Sequence, residues 1–232
     1  MRKKTVLFFI GILAILTPIG AQASQEGHAI ISLSRNAWIT HADSSTPSSA
    51  SVGDLLQNGD RLETLRGNTA QVAINPEGED LINLDENTAL TIRDSELYKA
   101  VVLEKGKVFA SLNKLKDGSN FKVYTPTAIA VVRGTQFAVI LTNNMTSVLS
   151  YVGRVEVTKR APDGSPAKDS ITLSPGEKTL VGSENLKAEE MSRAEMEDLQ
   201  STAALLPAAP AAKKSQNKAK VIISSHFDEL SK

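Results

Sequence analysis

Residues 124–140 read YTPTAIAVVRGTQFAVI. Two strand-length apolar runs share this stretch, parted by one cation and one glycine. Residues 128–132, AIAVV, are apolar on both faces, which fits a strand covered from both sides. Residues 135–141 alternate, with Phe137, Val139 and Leu141 on one face, the pattern of a half-buried strand. Pro126 cannot donate to a ladder, so it is expected to start a strand or to lie at a sheet edge. Arg133 places a charge where the core pattern breaks, and Gly134 permits a bend. Arg133 is then either a ligand-binding cation or part of an Arg133-Gly134-Thr135 corner that turns the chain between sheets. The apolar flanks favour the corner.

The same period extends outward on both sides. Residues 69–74 align Ala70, Val72 and Ile74, residues 88–92 align Leu90 and Ile92, and residues 107–112 align Val108, Ala110 and Leu112. Turn chemistry separates the runs at Asn58-Gly59-Asp60, Arg66-Gly67-Asn68, Asn75-Pro76-Glu77-Gly78, Asn143-Asn144 and Pro162-Asp163-Gly164. Many short strands between such turns predict an all-β domain over residues 24–182, either a compact sandwich or jelly-roll-like fold or a short β-solenoid. Residues 43–51, with five serines and Pro47, read as an exposed loop. Gly106-Lys107-Val108 and Gly153-Arg154-Val155 echo one another as strand openings, but the spacing of such echoes is not constant and predicts no regular array.

The two ends read differently. Arg2, Lys3 and Lys4 precede an apolar run over residues 6–16, and Ala21-Gln22-Ala23 is a small-residue cleavage site. That layout predicts a signal peptide over residues 1–23, cut between Ala23 and Ser24. The expected location is periplasmic or secreted, with no membrane span after cleavage. Residues 183–206 form the helical segment, its periodicity clearest over 187–205, with Ser192 and Glu195 at capping-box spacing. Docking on the chain's own β domain is the favoured fate of such a helix. Residues 207–232 are rich in proline, alanine and lysine and read as a flexible tail, in which Val221-Ile222-Ile223 could pair with a sheet edge.

Composition removes whole classes of function. The 232 residues contain no cysteine and three histidines, His28, His41 and His226. Disulfides, thiolate metal sites and cysteine nucleophiles are excluded. Without Arg2, Lys3 and Lys4 the mature chain holds 23 basic and 26 acidic residues, a net charge of −3 with no pull toward nucleic acid. No serine-hydrolase elbow, zinc-protease helix, phosphate loop or dinucleotide loop is present. His28 and His41 with Asp43 form the nearest approach to a metal set, but unpatterned histidines beside a tryptophan are more often plain strand residues. The carboxylate pairs Asp85-Glu86 and Glu77, Glu79 fall in turn-like stretches, where acids are normally solvated. Asn144-Met145-Thr146 matches a glycosylation sequon. The reading is of a protein that is not an enzyme, with no cofactor and no metal.

Several segments resemble, in order, the FecR-type domain. Tyr124-Thr125-Pro126, then Arg133-Gly134-Thr135 and Phe137, resemble its signature. Val52-Gly53-Asp54 and residues 58–64 resemble its opening, and residues 67–72 the strand that follows. Residues 103–108, residues 151–157 and residues 173–177 resemble its later glycine-bearing strands, so the match runs over residues 52–182. The resemblance implies an all-β envelope domain whose signature residues Thr125, Pro126, Arg133, Gly134, Thr135 and Phe137 are structural. Its best-known members are transmembrane regulators that pass a signal from an outer-membrane receptor to a cytoplasmic sigma factor. This sequence shows no cytoplasmic anti-sigma region, so a stand-alone exported form is expected. The implied role is protein interaction or signalling with an envelope protein partner. The alternative is a glycan- or peptidoglycan-binding domain using Trp38, Tyr98, Tyr124 and Tyr151, against which stands an aromatic content of only 4%.

Overall fold

The computed structural model describes residues 28–33, 36–74, 80–95, 98–113, 120–182 and 186–205. The expected signal peptide with its Ala23–Ser24 junction, Glu77 and Glu79, and the expected tail from residue 207 lie outside the described residues.

The strands form two packed sheets. In sheet A the order is β4 (Leu55–Leu56), β1 (His28–Leu33), β6 (Ala70–Ala73), β7 (Leu81–Leu84), the second half of β9 (Tyr98–Ser111), β12 (Gln136–Thr142), β13 (Met145–Val152), β16 (Glu177–Val181) and β17 (Glu189–Glu190). In sheet B it is β3 (Ser48–Ser49), β2 (Ala37–Thr40), β5 (Arg61–Thr64), β8 (Ala89–Ile92), the first half of β9, β10 (Asn120–Tyr124), β11 (Ala128–Val132), β14 (Val155–Arg160) and β15 (Pro166–Leu173). Neither sheet closes into a barrel. The pairing of β9 with β10 is parallel, and every other pairing among the described residues is antiparallel. The fold is therefore all-β, a sandwich whose strands alternate between layers, followed by one helix, α1 (Arg193–Leu205).

Residues with positive φ mark where the chain changes sheets. Gly53, Gly59, Gly67, Asn87, Gly134, Gly153 and Gly176 lie in the links β3–β4, β4–β5, β5–β6, β7–β8, β11–β12, β13–β14 and β15–β16, each of which joins one sheet to the other. A left-handed residue reverses the local twist and turns the next strand into the opposite layer, at little steric cost when it is glycine or asparagine. This accounts for the glycine echoes without a regular repeat. Gly106 is a correction to the expected strand opening. It sits inside the 14-residue β9 at φ +86°, where it bends one strand across both sheets. A Cβ there would stand 2.6 Å from Thr88 Cα and 2.8 Å from the Asn87 carbonyl oxygen, so only glycine fits.

The inward faces of the two sheets meet in one apolar core. Leu56, Leu62, Leu84, Leu90, Val101, Phe121, Phe137 and Val157 are all within it. A second cluster lies on the outer face of sheet A, where Ala73, Leu81, Phe109, Ala138 and Leu149 are covered by Leu199 of α1, with Met191 and Ala203 beside it. Buried apolar area on a sheet's outer face needs a cover, and α1 supplies it.

The other boundaries differ locally from the pattern. Pro126 neither starts a strand nor lies at an edge; it follows Thr125 in the turn that joins β10 to β11. Its fixed φ suits the second position of a tight turn, and the turn needs no ladder donor there. Residues 43–51 are almost wholly exposed as expected, yet Ser48 and Ser49 pair with β2. The helix starts at Arg193 rather than 187, because Glu189 and Glu190 pair with β16 and Ser192 caps the helix. The Ser192 hydroxyl accepts from the Glu195 N–H, and the Glu195 carboxylate accepts from the Ser192 N–H, completing the capping box.

Candidate protein-interaction surface

The signature segment builds one end of the sandwich. The Thr125 hydroxyl accepts the Ala128 N–H at 2.9 Å, while the Thr125 N–H reaches the Ala128 carbonyl. The same hydroxyl lies 2.7 Å from that of Thr146 on β13, which also meets the Thr127 hydroxyl at 2.7 Å. Thr125 and Thr146 are both buried, so these contacts tie the β10–β11 turn of sheet B to sheet A. Thr146 is the third residue of the sequon, and its hydroxyl is engaged inside the fold.

At the far end of β11 the chain turns from sheet B to sheet A at Gly134, with φ +75°. Phe137 fills the core between the sheets, and Thr135 is buried. A Cβ on Gly153 would stand 2.7 Å from Thr135 Cγ2, so two successive corners pack on one another. Arg133 is exposed, and its Nε donates to Asn120 Oδ1 at 2.6 Å.

The opening motif is also structural in its contacts. Asp60 is buried and accepts from the Ala42 and Gln57 N–H groups, with His41 Nδ1 at 3.0 Å. Thr64 donates to the Asp85 carbonyl at 2.6 Å and accepts the Thr88 N–H at 3.0 Å. Among the described residues no three His, Cys, Asp or Glu side chains are placed to hold a metal. His41 is bound to Asp60, and Asp43 is exposed. The Glu86 carboxylate accepts the Gly67 N–H of a neighbouring turn, and the Asp85 carboxylate accepts the Glu86 N–H within its own turn.

The two outer faces differ in character. On sheet A, α1 is held by Lys178 to Glu195 at 2.8 Å and by Lys107 to Asp198, on either side of buried Leu199. The hydrogen bonds from Lys178, and then from Ser192, hold the Glu195 carboxyl down at about 2. Beside the last turn of α1 runs a cleft of about 270 Å³ lined by Gln71, Asn83, Asp85, Lys107, Phe109 and Thr202. Gln71 Nε2 donates to Asn83 Oδ1 across it at 2.7 Å.

No helix among the described residues covers the outer face of sheet B. Trp38, 39% exposed, stands there, as do the half-buried Val102, Tyr124 and Val131. Toward β8 and β9, Arg61 donates to Glu63 and to Glu104, each at 2.7 Å, and Lys105 also bonds Glu63. These donors hold the Glu63 carboxyl below its usual range. Toward the Thr125 turn, the Arg93 guanidinium lies 5.5 Å and that of Arg160 lies 5.9 Å from the centre of the Tyr124 ring. Arg160 is fixed by donating to the Thr125 carbonyl at 2.6 Å and the Gly164 carbonyl at 2.9 Å.

Of the aromatics named for glycan binding, Trp38, Tyr124 and Tyr151 do not converge, and the Tyr98 side chain lies outside the described residues. Tyr151 packs under α1 on sheet A, whereas Trp38 and Tyr124 stand on sheet B. Four strand steps, from β2 through β5, β8 and β9 to β10, separate these last two, roughly 19 Å at the usual inter-strand spacing. The sequence reading missed the Arg93–Tyr124–Arg160 cluster and the lysine clamps on α1. Each joins residues distant in the chain through strand order, which no local pattern reports.

Comparison with known proteins finds one family and one protein of known structure that are similar to this chain. The model of the family described as FecR protein matches residues 60–156. Two crystal structures, at 1.65 Å and 2.50 Å resolution, of a protein provisionally classed as an anti-sigma factor from Parabacteroides distasonis ATCC 8503 are similar at 21% identity and a TM-score of 0.49. The similarity covers 63% of this chain and 64% of theirs, so the chain spans somewhat under two thirds of that protein's length. No curated protein matches the chain. The segment similar to the FecR family is thus residues 60–156, somewhat under half of the chain, from the buried Asp60 through the Arg133-Gly134 corner to β14.

Proposed function

We propose that this chain is an exported, non-enzymatic FecR-type module that binds another envelope protein and passes a signal through that contact. The observation that carries the reading is the match of residues 60–156 to the FecR family, whose best-known members are regulators acting through protein contacts. The difference between the outer faces supports it further. Sheet A is covered by the chain's own helix, and sheet B offers tryptophan, tyrosine and arginine, the residue types enriched at binding hot spots. Residues 1–23 act as the export signal, and the mature protein begins at Ser24 in the periplasm or beyond.

The test is crosslinking in intact cells of a C-terminally tagged protein, followed by mass spectrometry of the envelope fraction. The expected result is one partner protein in stoichiometric yield, bound to a chain whose N-terminus is Ser24. Recovery of the processed protein alone would overturn the interaction role. Recovery of an unprocessed chain from the cytoplasm would overturn export.

A further inference from the structure

We propose that the Arg93–Tyr124–Arg160 cluster on the outer face of sheet B is the point where an acidic segment of a protein partner docks. This rests on the interaction role proposed above and adds the chemistry of the partner. Two guanidinium groups lie within 6 Å of one tyrosine ring. Both bring positive charge to the patch around that ring, and a carboxylate docking there accepts planar, bidentate hydrogen bonds from a guanidinium.

The cluster is built rather than incidental. Arg160 is pinned to the Thr125 and Gly164 carbonyls, so its position is set before any ligand arrives. Tyr124 is half-buried on β10, directly before the signature turn. Arg93 follows β8; its backbone N–H bonds the Ala100 carbonyl, and its exposed side chain makes no hydrogen bond or ion pair among the described residues. Among the described residues, two acids close in sequence or strand order bond other groups. Asp94 accepts the Ala100 N–H, and Glu104 accepts from Arg61 and Thr91.

A rigid aromatic with flanking arginines is the composition of an interface anchor, and the uncompensated charge selects carboxylates as its complement. Acidic side chains two residues apart on an extended partner segment would both face this sheet and reach both arginines. The contact should therefore weaken with salt, as exposed charge pairs do.

The probe is an acetylated, amidated hexaglutamate peptide, titrated into the isotope-labelled protein and followed by NMR, including the arginine Nε–Hε signals. Saturable shifts centred on Arg93, Arg160 and Tyr124 are expected. They should weaken at least tenfold between about 50 and about 200 mM salt, with a hexalysine peptide producing none of them. Arg93→Glu should abolish the shifts, and Arg93→Gln should weaken them at least fivefold, with unchanged melting temperatures for both. Shifts spread evenly over the surface lysines and arginines, or binding untouched by both substitutions, would overturn the proposal. In intact cells the two readings separate. Undiminished capture of the partner by Arg93→Glu protein overturns the docking point and leaves the interaction role standing, whereas no capture by the unsubstituted protein overturns the role itself.

Discussion

The hydroxyl oxygens of Thr125 and Thr146 lie 2.7 Å apart, both side chains buried, one in the β10–β11 turn and the other on β13 of the opposite sheet. The pair converts a sequence signature into a tie between layers. Thr146→Val keeps the shape but removes the Thr146 partner of the Thr127 hydroxyl and one of the partners of the Thr125 hydroxyl, which keeps its bonds to Ala128. The expected loss is about 1–2 kcal/mol, the usual scale for losing partly buried hydrogen bonds. Thr146→Ser should recover most of it. Urea unfolding of the three proteins checks this, and equal midpoints for threonine and valine would show that the tie carries no stability.

Gly106 and Gly67 both have positive φ, but their surroundings differ. A Cβ at Gly67 meets nothing within 4 Å, whereas one at Gly106 collides with the Thr88 and Asn87 backbone. Gly67→Ala should cost about 1–2 kcal/mol, the strain of a left-handed alanine. Gly106→Ala should cost about 3 kcal/mol or more, since overpacking adds to the same strain. Comparable losses at the two positions would mean that the bend of β9 does not depend on the close passage beside Thr88.

The clamp on α1 carries a pH signature. Glu195 titrates at about 2 in the folded protein, below its ordinary 4.5, chiefly because Lys178 donates to it. A lowered carboxyl stabilises the folded state fully above pH 4.5, and that contribution fades as the pH falls toward 2. The pair is partly exposed, so solvent screening limits it to about 1 kcal/mol at neutral pH. Lys178→Met should therefore lower the melting temperature by roughly 2–4 °C at pH 7. The gap from the unsubstituted protein should narrow below pH 4.5 and close as the pH falls through about 2. A gap that persists undiminished at the acid end of that range would assign the effect to lost packing of the lysine stem rather than to charge.

Much of the fold is legible in the sequence because each strand carries its own alternation. β11 occupies Ala128–Val132, the bounds its apolar run predicts. What alternation does not contain is the sheet to which a strand belongs, since Leu62 in sheet B and Leu84 in sheet A present the same inward apolar face. The partition lies instead in Gly53, Gly59, Gly67, Gly134, Gly153 and Gly176, which hold positive φ in the links between layers. The candidate site is less legible still. Tyr124 is visible as part of a motif, but Arg93 and Arg160 reach it only because β9 separates β8 from β10 and β11 separates β10 from β14.

Arg133 belongs to the signature, yet the fold places little demand on it. Its side chain is exposed and bonds only Asn120 among the described residues, while the neighbouring Gly134 holds the positive φ of the corner. Arg133→Ala should cost no more than about 1 kcal/mol, as for a single exposed hydrogen bond. Gly134→Ala should cost about 1–2 kcal/mol from left-handed strain alone. Thermal unfolding of the two variants separates corner from cation. If Arg133→Ala instead unfolds the domain, the guanidinium organises the corner and the glycine merely permits it. If the variant folds normally but loses the crosslinked partner in cells, Arg133 is a binding cation, and the corner belongs to Gly134, Thr135 and the packing of Gly153 against them.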